Sequence, residues 1–227
     1  MFNVSFTLPA GASRWWNAVA AVAAKPKDRP TLAGVRVEVG DVWSPVLGDV
    51  QGVSMTATDS YRLLNVVFPL GSSSDFNGEG AVTLPASFKV GARSELSASW
   101  YTSDVVEHVG AAYGVGSEVR VTTVAGVQIF HGIAAQFPAW RNLIPSALGD
   151  GGPIDAFAVS PVRLGSMLEA IGKITGEDSN VRFVSTSASK PCRFDVLDGG
   201  VVACGIVMPM RVPGGVYGHL NVEAVTA

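Results

Sequence analysis

Apolar and polar positions along this chain switch between a two-residue and a helical period, and the switches mark three units of one kind. Each is a short strand, a helix, and then several strands that end in a hairpin. In the first, Asn3–Leu8 alternates as a half-buried strand does, and Pro9 and Gly11 break it. Ser13 is the expected N-cap of a helix that runs to about Ala24, with Trp15, Val19 and Val22 on its apolar face. Pro26 ends it. Val35, Val37 and Val39 alternate with Arg36 and Glu38 as a strand, and Val53–Thr58 and Tyr61–Phe68 read as a strand pair around Thr58-Asp59-Ser60. After a polar, Gly-rich linker at Gly71–Gly80, the second unit opens with the strand Ala81–Leu84 and a short helix from Pro85 to about Arg93. Leu96–Tyr101, Val119–Val124 and Val127–Ala134 are its strands, and Phe137–Pro145 closes it. A second linker covers Ser146–Pro153. In the third unit, Ala156–Val159 precedes a helix with Ser160 as N-cap, Pro161 at its first position and Val162, Met167, Leu168 and Ile171 on its apolar face. Val181–Thr186, Cys192–Leu197 and Val201–Val207 follow as strands, the last two joined at Asp198-Gly199. Repetition on this scale implies units that stack and share sheets, because none covers its apolar face alone.

Composition narrows the function classes. The chain has 227 residues, 48% hydrophobic and only 15% charged, with a net charge of -3. Soluble domains carry roughly 25% charged residues, so much of this surface is expected to be neutral or covered by partners. The net charge argues against a protein that simply coats DNA with positive charge, but not against one with its basic residues on a single face. Cys192 and Cys204 are too few for a disulfide framework and form no CxxC unit, which fits reduced thiols. No apolar run approaches the roughly 18 residues of a membrane helix, and Met1–Leu8 lacks the basic start of a signal peptide. A soluble, intracellular protein is the expectation.

Three stretches carry a more specific message. They are Ala57-Thr58-Asp59-Ser60-Tyr61-Arg62-Leu63, then Phe137-Pro138-Ala139-Trp140-Arg141-Asn142-Leu143-Ile144-Pro145, then Val207-Met208-Pro209-Met210-Arg211-Val212. In that order they resemble the signatures of the bacterial β sliding clamp of DNA polymerase III: an ATDxxRL turn, an FPxxRxxxP segment and a terminal MPMR strand. Lys190-Pro191 and Arg29-Pro30-Thr31-Leu32 are also clamp-like. The resemblance implies an α+β DNA-clamp fold of repeated strand–helix–strands units, with antiparallel sheets outside and helices lining a ring. It implies no catalysis and no cofactor. It implies a processivity factor that encircles duplex DNA without reading its sequence and tethers a polymerase and clamp loader through short peptides.

The chain is shorter than the family pattern. Residues 1–145 resemble the family's middle domain, as half units 1–77 and 78–145, and residues 152–212 resemble the second half of its last domain. A half-domain leaves an open sheet edge, so the third unit is expected to complete its sheet against another chain in a homo-oligomeric ring. Four chains match the unit count of a bacterial dimer, and a trimer of two-domain chains is the alternative. The tail 213–227 extends past the family's usual end and is expected to be disordered or an oligomer contact, with a self-plug over the pocket as another possibility.

Mapped onto matching positions, the family's peptide pocket takes Thr58, Ser60, Tyr61, Arg62 and Leu63 from the turn, Pro138, Asn142 and Leu143 from the second signature, and Val207, Met208, Pro209, Met210 and Arg211 from the end of the last strand. Methionines there give an adaptable apolar surface. Tyr61 and Asn142 depart from the usual residues, which implies an altered peptide preference. The expected DNA face is helical: Arg14, Lys25, Lys27 and Arg29 around the first helix, Lys89 and Arg93 in the second, Arg163 and Lys173 in the third. These segments carry a positive surplus while the whole chain is -3, so the remainder is acidic. A positive bore holds phosphates and an acidic exterior repels them. Solvated helix charges and a core-filling pair of methionines are the plainer alternatives for these residues.

Enzymatic motifs are weak. His108, His131 and His219 have no HxxxH or HExxH spacing. Gly172-Lys173 is followed by Ile174, which breaks a phosphate loop, Gly110–Gly116 lacks dinucleotide-fold cues, and no GxSxG elbow exists. Asp155, Glu169, Glu177 and Asp178 flank a helix and are expected to face water. The competing expectation is a clamp-derived interaction module that binds replication proteins without encircling DNA.

Overall fold

A computed structural model of the chain describes residues 4–8, 11–71, 75–88, 90, 96–100, 114–123, 126–145, 158–175, 181–184, 190–198 and 200–210. Its elements are β1 (Val4–Leu8), α1 (Ala12–Ala20), β2 (Gly34–Ser44), β3 (Gly48–Thr58), β4 (Arg62–Pro69), β5 (Asp75–Asn77), β6 (Gly80–Pro85), β7 (Leu96–Trp100), β8 (Gly114–Thr123), β9 (Gly126–Ala134), α2 (Pro161–Thr175), β10 (Arg182–Val184), β11 (Cys192–Asp198) and β12 (Val201–Val207). Single 3-10 turns occupy Pro30–Leu32 and Trp140–Leu143.

The strands form two antiparallel sheets, one in the order β5-β1-β7-β8-β9 and one in the order β10-β11-β12-β4-β3-β2-β6. The first two units exchange their opening strands. β1 pairs with β7 of the second unit, and β6 pairs with β2 of the first. Each unit therefore completes the other's sheet. The third unit joins through β12, which pairs with β4 from Val202↔Val67 to Val207↔Arg62. The third unit therefore closes one edge of its sheet, β12, on the chain's own first unit, and its other edge, β10, is unpaired among the described residues.

The inner faces of both sheets and one side of each helix share a core. Val37, Met55, Leu64 and Val66 come from the long sheet, Phe6, Leu96 and Val121 from the short one, Trp15, Trp16 and Val19 from α1, and Met167 and Ile171 from α2. Trp16 is fully buried and its indole N–H donates to the Phe88 carbonyl at 3.0 Å, so its one polar atom is satisfied.

Several expected boundaries shift for physical reasons. Gly11, at φ 96, takes the N-cap of α1 in a left-handed conformation that suits glycine, and Ser13 lies inside the helix with its hydroxyl buried and without a hydrogen-bond partner. α1 ends at Ala20, four residues before the expected stop, in tight turns from Val22 N to Val19 O and Ala23 N to Ala20 O. Pro85 ends β6 rather than opening a helix, and residues 86–88 turn so that Phe88 reaches the core. Val90 also reaches the core outside any helix, and residues 89 and 91–93 of that expected helix lie outside the described residues. The expected linker at 71–80 contains β5, which pairs with β1. Ser160 does cap α2, its hydroxyl accepting from Arg163 N at 3.4 Å, but Val162 is 79% exposed and off the buried face that Met167 and Ile171 occupy.

Gly205 shows how closely the third unit is fitted. It faces Phe194 across β11 and β12, and a Cβ built there would sit 1.9 Å from the Phe194 ring. Gly205→Ala should displace a fully buried phenylalanine, an overpacking cost of about 1–3 kcal/mol. The check is a lowered urea midpoint with an unchanged m-value.

Candidate functional site

The turn between β3 and β4 is built by its own side chains. Thr58 Oγ1 donates to the Arg62 carbonyl at 2.9 Å and accepts from Ser60 N at 3.1 Å. Asp59 Oδ1 accepts from Tyr61 N and Arg62 N at 2.9 and 3.0 Å. Short polar side chains that bond the backbone two and three residues ahead are what make such a sequence turn. Ser60 sits at φ 78, an uncommon left-handed position for a non-glycine residue, and holds it inside this network.

Register then brings the three sequence signatures together on the outer face of the long sheet. Thr58 pairs with Leu63, Leu63 with Ile206, and Ile206 with Arg193, so one row crosses β3, β4, β12 and β11. Leu63 and Ile206 are buried there under Trp140, in a small cluster joined by Trp43, Phe137 and Ile144. The Trp43 and Trp140 rings lie 5.9 Å apart at 56°. Beyond β12 the chain stays in place through Met208 N to Tyr61 O at 2.8 Å and Met210 N to Ala158 O at 2.7 Å. The 137–145 segment thus lies over the β4–β12 row, and the 208–210 segment continues β12 beside the turn, bonded to Tyr61 and Ala158.

The expected pocket residues fall into distinct positions. Ser60, Tyr61, Pro138, Asn142, Leu143 and Met210 are exposed, Met208 and Pro209 are half-buried, and Thr58 and Leu63 are buried beneath them. Leu143 is 45% exposed and Met210 49%. Two residues go elsewhere. Val207 is buried in the main core. Arg62 turns to the helical side, where its guanidinium bonds Asp59 at 3.0 Å, the Ala21 carbonyl at 3.2 Å and Ser166 of α2. It fastens the turn to both helices instead of presenting charge outward. Arg211 lies outside the described residues. Sequence reasoning named no role for Trp140, Trp43 and Ile206, which form the floor. Cross-strand register, which the sequence does not spell, is what selects them.

On the helical side, Arg14 is exposed on α1, Lys25, Lys27 and Arg29 are in the turns that follow it, with Lys25, Lys27 and Arg29 all exposed, and Arg163 is half-buried on α2. Arg163 lies 3.6 Å over the Tyr61 ring, and Arg29 lies 6.0 Å from the same ring while donating to Ser60 Oγ at 2.6 Å. The two expected surfaces therefore meet at Tyr61. Arg14 and Arg62 also line a cavity of about 430 Å³ between α1 and α2, with Asn17, Ser166 and Glu169. Lys173 belongs to α2, and Lys89 and Arg93 lie outside the described residues. Among the described residues no group of three or more His, Cys, Asp or Glu side chains is placed to hold a metal ion, and no helix is long and apolar enough to cross a membrane.

Comparison with solved structures gives this architecture a counterpart. The chain superimposes across 93% of its length on the DNA polymerase III β subunit of Thermotoga maritima, with TM-score 0.63 and 14% identity. The fold is that of the β sliding clamp. The H. pylori β clamp in complex with diflunisal matches at TM-score 0.63 and 13% identity, and the Pseudomonas aeruginosa sliding clamp bound to griselimycin at 0.58 and 14%, each again over 93% of this chain. The chain spans only about two thirds of the length of these clamps, 66%, 67% and 66% respectively. No family model matches the sequence, and no curated protein matches it.

Both cysteines of this clamp-fold chain are free and buried. Burial, with Asp195 as the next cause, pushes the Cys204 thiol well above its usual 9.0, and burial raises Cys192 as well. Folding favours the protonated form of both thiols, whereas the unfolded thiols ionise near 9.0. Their contribution to stability is therefore complete below that value and is lost progressively as pH rises from it towards the raised folded values. Urea midpoints should hold steady up to about pH 8 and fall towards pH 10, with a smaller fall in Cys204→Ala.

Proposed function

We propose that this protein is a DNA sliding clamp, a non-catalytic processivity factor that closes into a homo-oligomeric ring around duplex DNA. It tethers a DNA polymerase and other replication proteins by short peptides that bind the outer patch. The observation that carries this reading is the packing of the 137–145 segment, through Phe137 and Trp140, over Leu63 and Ile206, beside the turn to which Met208 N is bonded, in a chain with the clamp fold. The patch combines a rigid buried floor with exposed Leu143 and Met210, the combination that accepts apolar peptide side chains. Asn142 and Tyr61 supply polar contacts at its rim. The helical side carries Arg14, Lys25, Lys27, Arg29 and Arg163 towards phosphates, reading no bases.

Ring closure has candidate surfaces. β9 ends the short sheet and β10 ends the long one, each paired on one side only among the described residues. Val127 and Ile129 on β9 are 58% and 55% exposed, and Phe183 on β10 is 50% exposed. β9 lies against β6 of the same chain along part of its length, so the β10 edge with its exposed Phe183 is the more open one, and neighbouring chains join at such an edge in this reading. The setting is the cytoplasm of a bacterium or an infected cell. A second reading is a clamp-derived interaction module that keeps the outer patch and forms no ring.

The test is topological. Protein loaded on a nicked circular duplex should remain through a salt wash and leave when the circle is cut. Retention that does not depend on the circle, or no retention at all, contradicts encirclement. The basic exit of α1 gives a further prediction. Replacing Lys25, Lys27 and Arg29 together by alanine should lower non-specific duplex affinity about tenfold or more at low salt. It should also flatten the slope of log K against log salt by about 0.9 for each phosphate that is no longer neutralised, as read by fluorescence anisotropy.

A further inference from the structure

The patch depends on a buried charge that none of the three sequence signatures contains. Arg193 on β11 is 0% exposed. A guanidinium survives out of water only when it is paired and its N–H groups are all engaged. Asp195, two residues along the strand and so on the same face, supplies the counter-charge, with Nε to Oδ1 at 2.7 Å and Nη2 to Oδ2 at 3.1 Å. Arg182 of β10 shares that carboxylate, at 2.6 Å from Oδ2.

The remaining donors of Arg193 leave the sheet. Nη1 donates to the Pro145 carbonyl at 2.9 Å, and Nη2 to the Pro45 carbonyl at 3.0 Å. Pro145 closes the 137–145 segment, whose Asn142 and Leu143 face outward. Pro45 lies in the turn between β2 and β3, two residues after Trp43, which meets Trp140. Arg193 is also the cross-strand neighbour of Ile206, one of the two residues on which Trp140 rests. One side chain of the third unit therefore grips backbone of the second and of the first, beside the apolar floor.

We propose that Arg193 is the positioning residue of this groove. Its planar fork fastens the 137–145 segment and the β2–β3 turn to the long sheet at a fixed height, and Asp195 holds the fork flat and neutralised. Arginine suits the role because its donors diverge in one plane, whereas a lysine offers a single nitrogen and cannot hold the carboxylate in two places and both carbonyls in this geometry. The inference rests on the proposed partner groove but concerns how that patch is held, so its test carries one readout that needs no partner.

The experiment compares full-length wild type with Arg193→Lys and with the double variant Arg193→Met plus Asp195→Leu, which removes the latch and the buried charge together. Val121→Ala in the short sheet is the control for simple loss of stability. The first readout is the rate of tryptic cleavage after Arg141, an exposed site in the fastened segment, with the near-ultraviolet circular dichroism of the tryptophans. The second is affinity for griselimycin, the compound bound by the Pseudomonas aeruginosa clamp. Both Arg193 variants should remain folded, be cut after Arg141 at least ten times faster, lose part of the tryptophan signal and bind griselimycin at least ten times more weakly. Val121→Ala should change neither readout even where it lowers the melting temperature as much. Folded Arg193 variants with wild-type cleavage and spectra would overturn the positioning role. Failure of wild type to bind griselimycin would count against the groove, and the cleavage rates would still decide the role of Arg193.

Discussion

Trp140→Ala should lower the stability of the protein by about 3 kcal/mol and abolish partner binding at the outer patch. Trp140 is 4% exposed and is the lid of the small cluster over Leu63 and Ile206, with Trp43, Phe137 and Ile144 around it. Removing an indole there leaves a cavity that strands on one side and a 3-10 turn on the other cannot both move to fill, so the cost combines lost burial with an unfilled void. The same change frees Asn142 and Leu143, which lie on the turn Trp140 anchors. Urea unfolding read by far-ultraviolet circular dichroism measures the first effect, and griselimycin binding by calorimetry the second. A variant that loses stability but binds as wild type does would separate the cluster from the groove.

The second large effect is one of binding without stability. Leu143 and Met210 are 45% and 49% exposed, so trimming both to alanine removes little from the core. Both belong to the proposed partner site, and two apolar anchors in a partner interface contribute about 1–2 kcal/mol each or more. The double variant should therefore bind griselimycin or a polymerase tail peptide at least tenfold more weakly while its melting temperature stays within about 2 °C of wild type. Equal affinity for the two proteins would remove Leu143 and Met210 from the site.

What the sequence discloses and what it withholds follow from the range of the interactions involved. The hairpin around Thr58-Asp59-Ser60 is legible because its caps are local: Thr58 and Asp59 bond backbone groups two to four residues away. The α2 cap at Ser160 and the strands of the third unit are legible for the same reason. The exchange of β1 and β6 between units is not, because alternation shows that a residue is half-buried but not which strand lies beside it. The pairing of β12 with β4 escapes for that reason too, and with it the destination of Arg62, which register places on the helical face opposite Leu63. The start of α1 differs from the expected one because Ser13 looks like a cap, while Gly11 reaches the left-handed conformation at lower cost.

The candidate site divides in the same way. Its exposed members, Asn142, Leu143 and Met210, come from motifs. Its floor comes from register, and its latch from neither. Yet Arg193 and Asp195 do carry a signal. They stand two residues apart among Cys192, Phe194 and Val196, so both must share one face of a strand whose other face is apolar. Two opposite charges in that position, on a strand central to a sheet, call for a buried pair with further hydrogen bonds.

A ring of several copies is tested most directly by the solution mass of the purified chain, measured by light scattering across a range of concentrations. A stable species of about three or four chains, each of 23.5 kDa, is the predicted result. A 23.5 kDa monomer that persists to the highest concentration would contradict the ring and leave the groove as the protein's function.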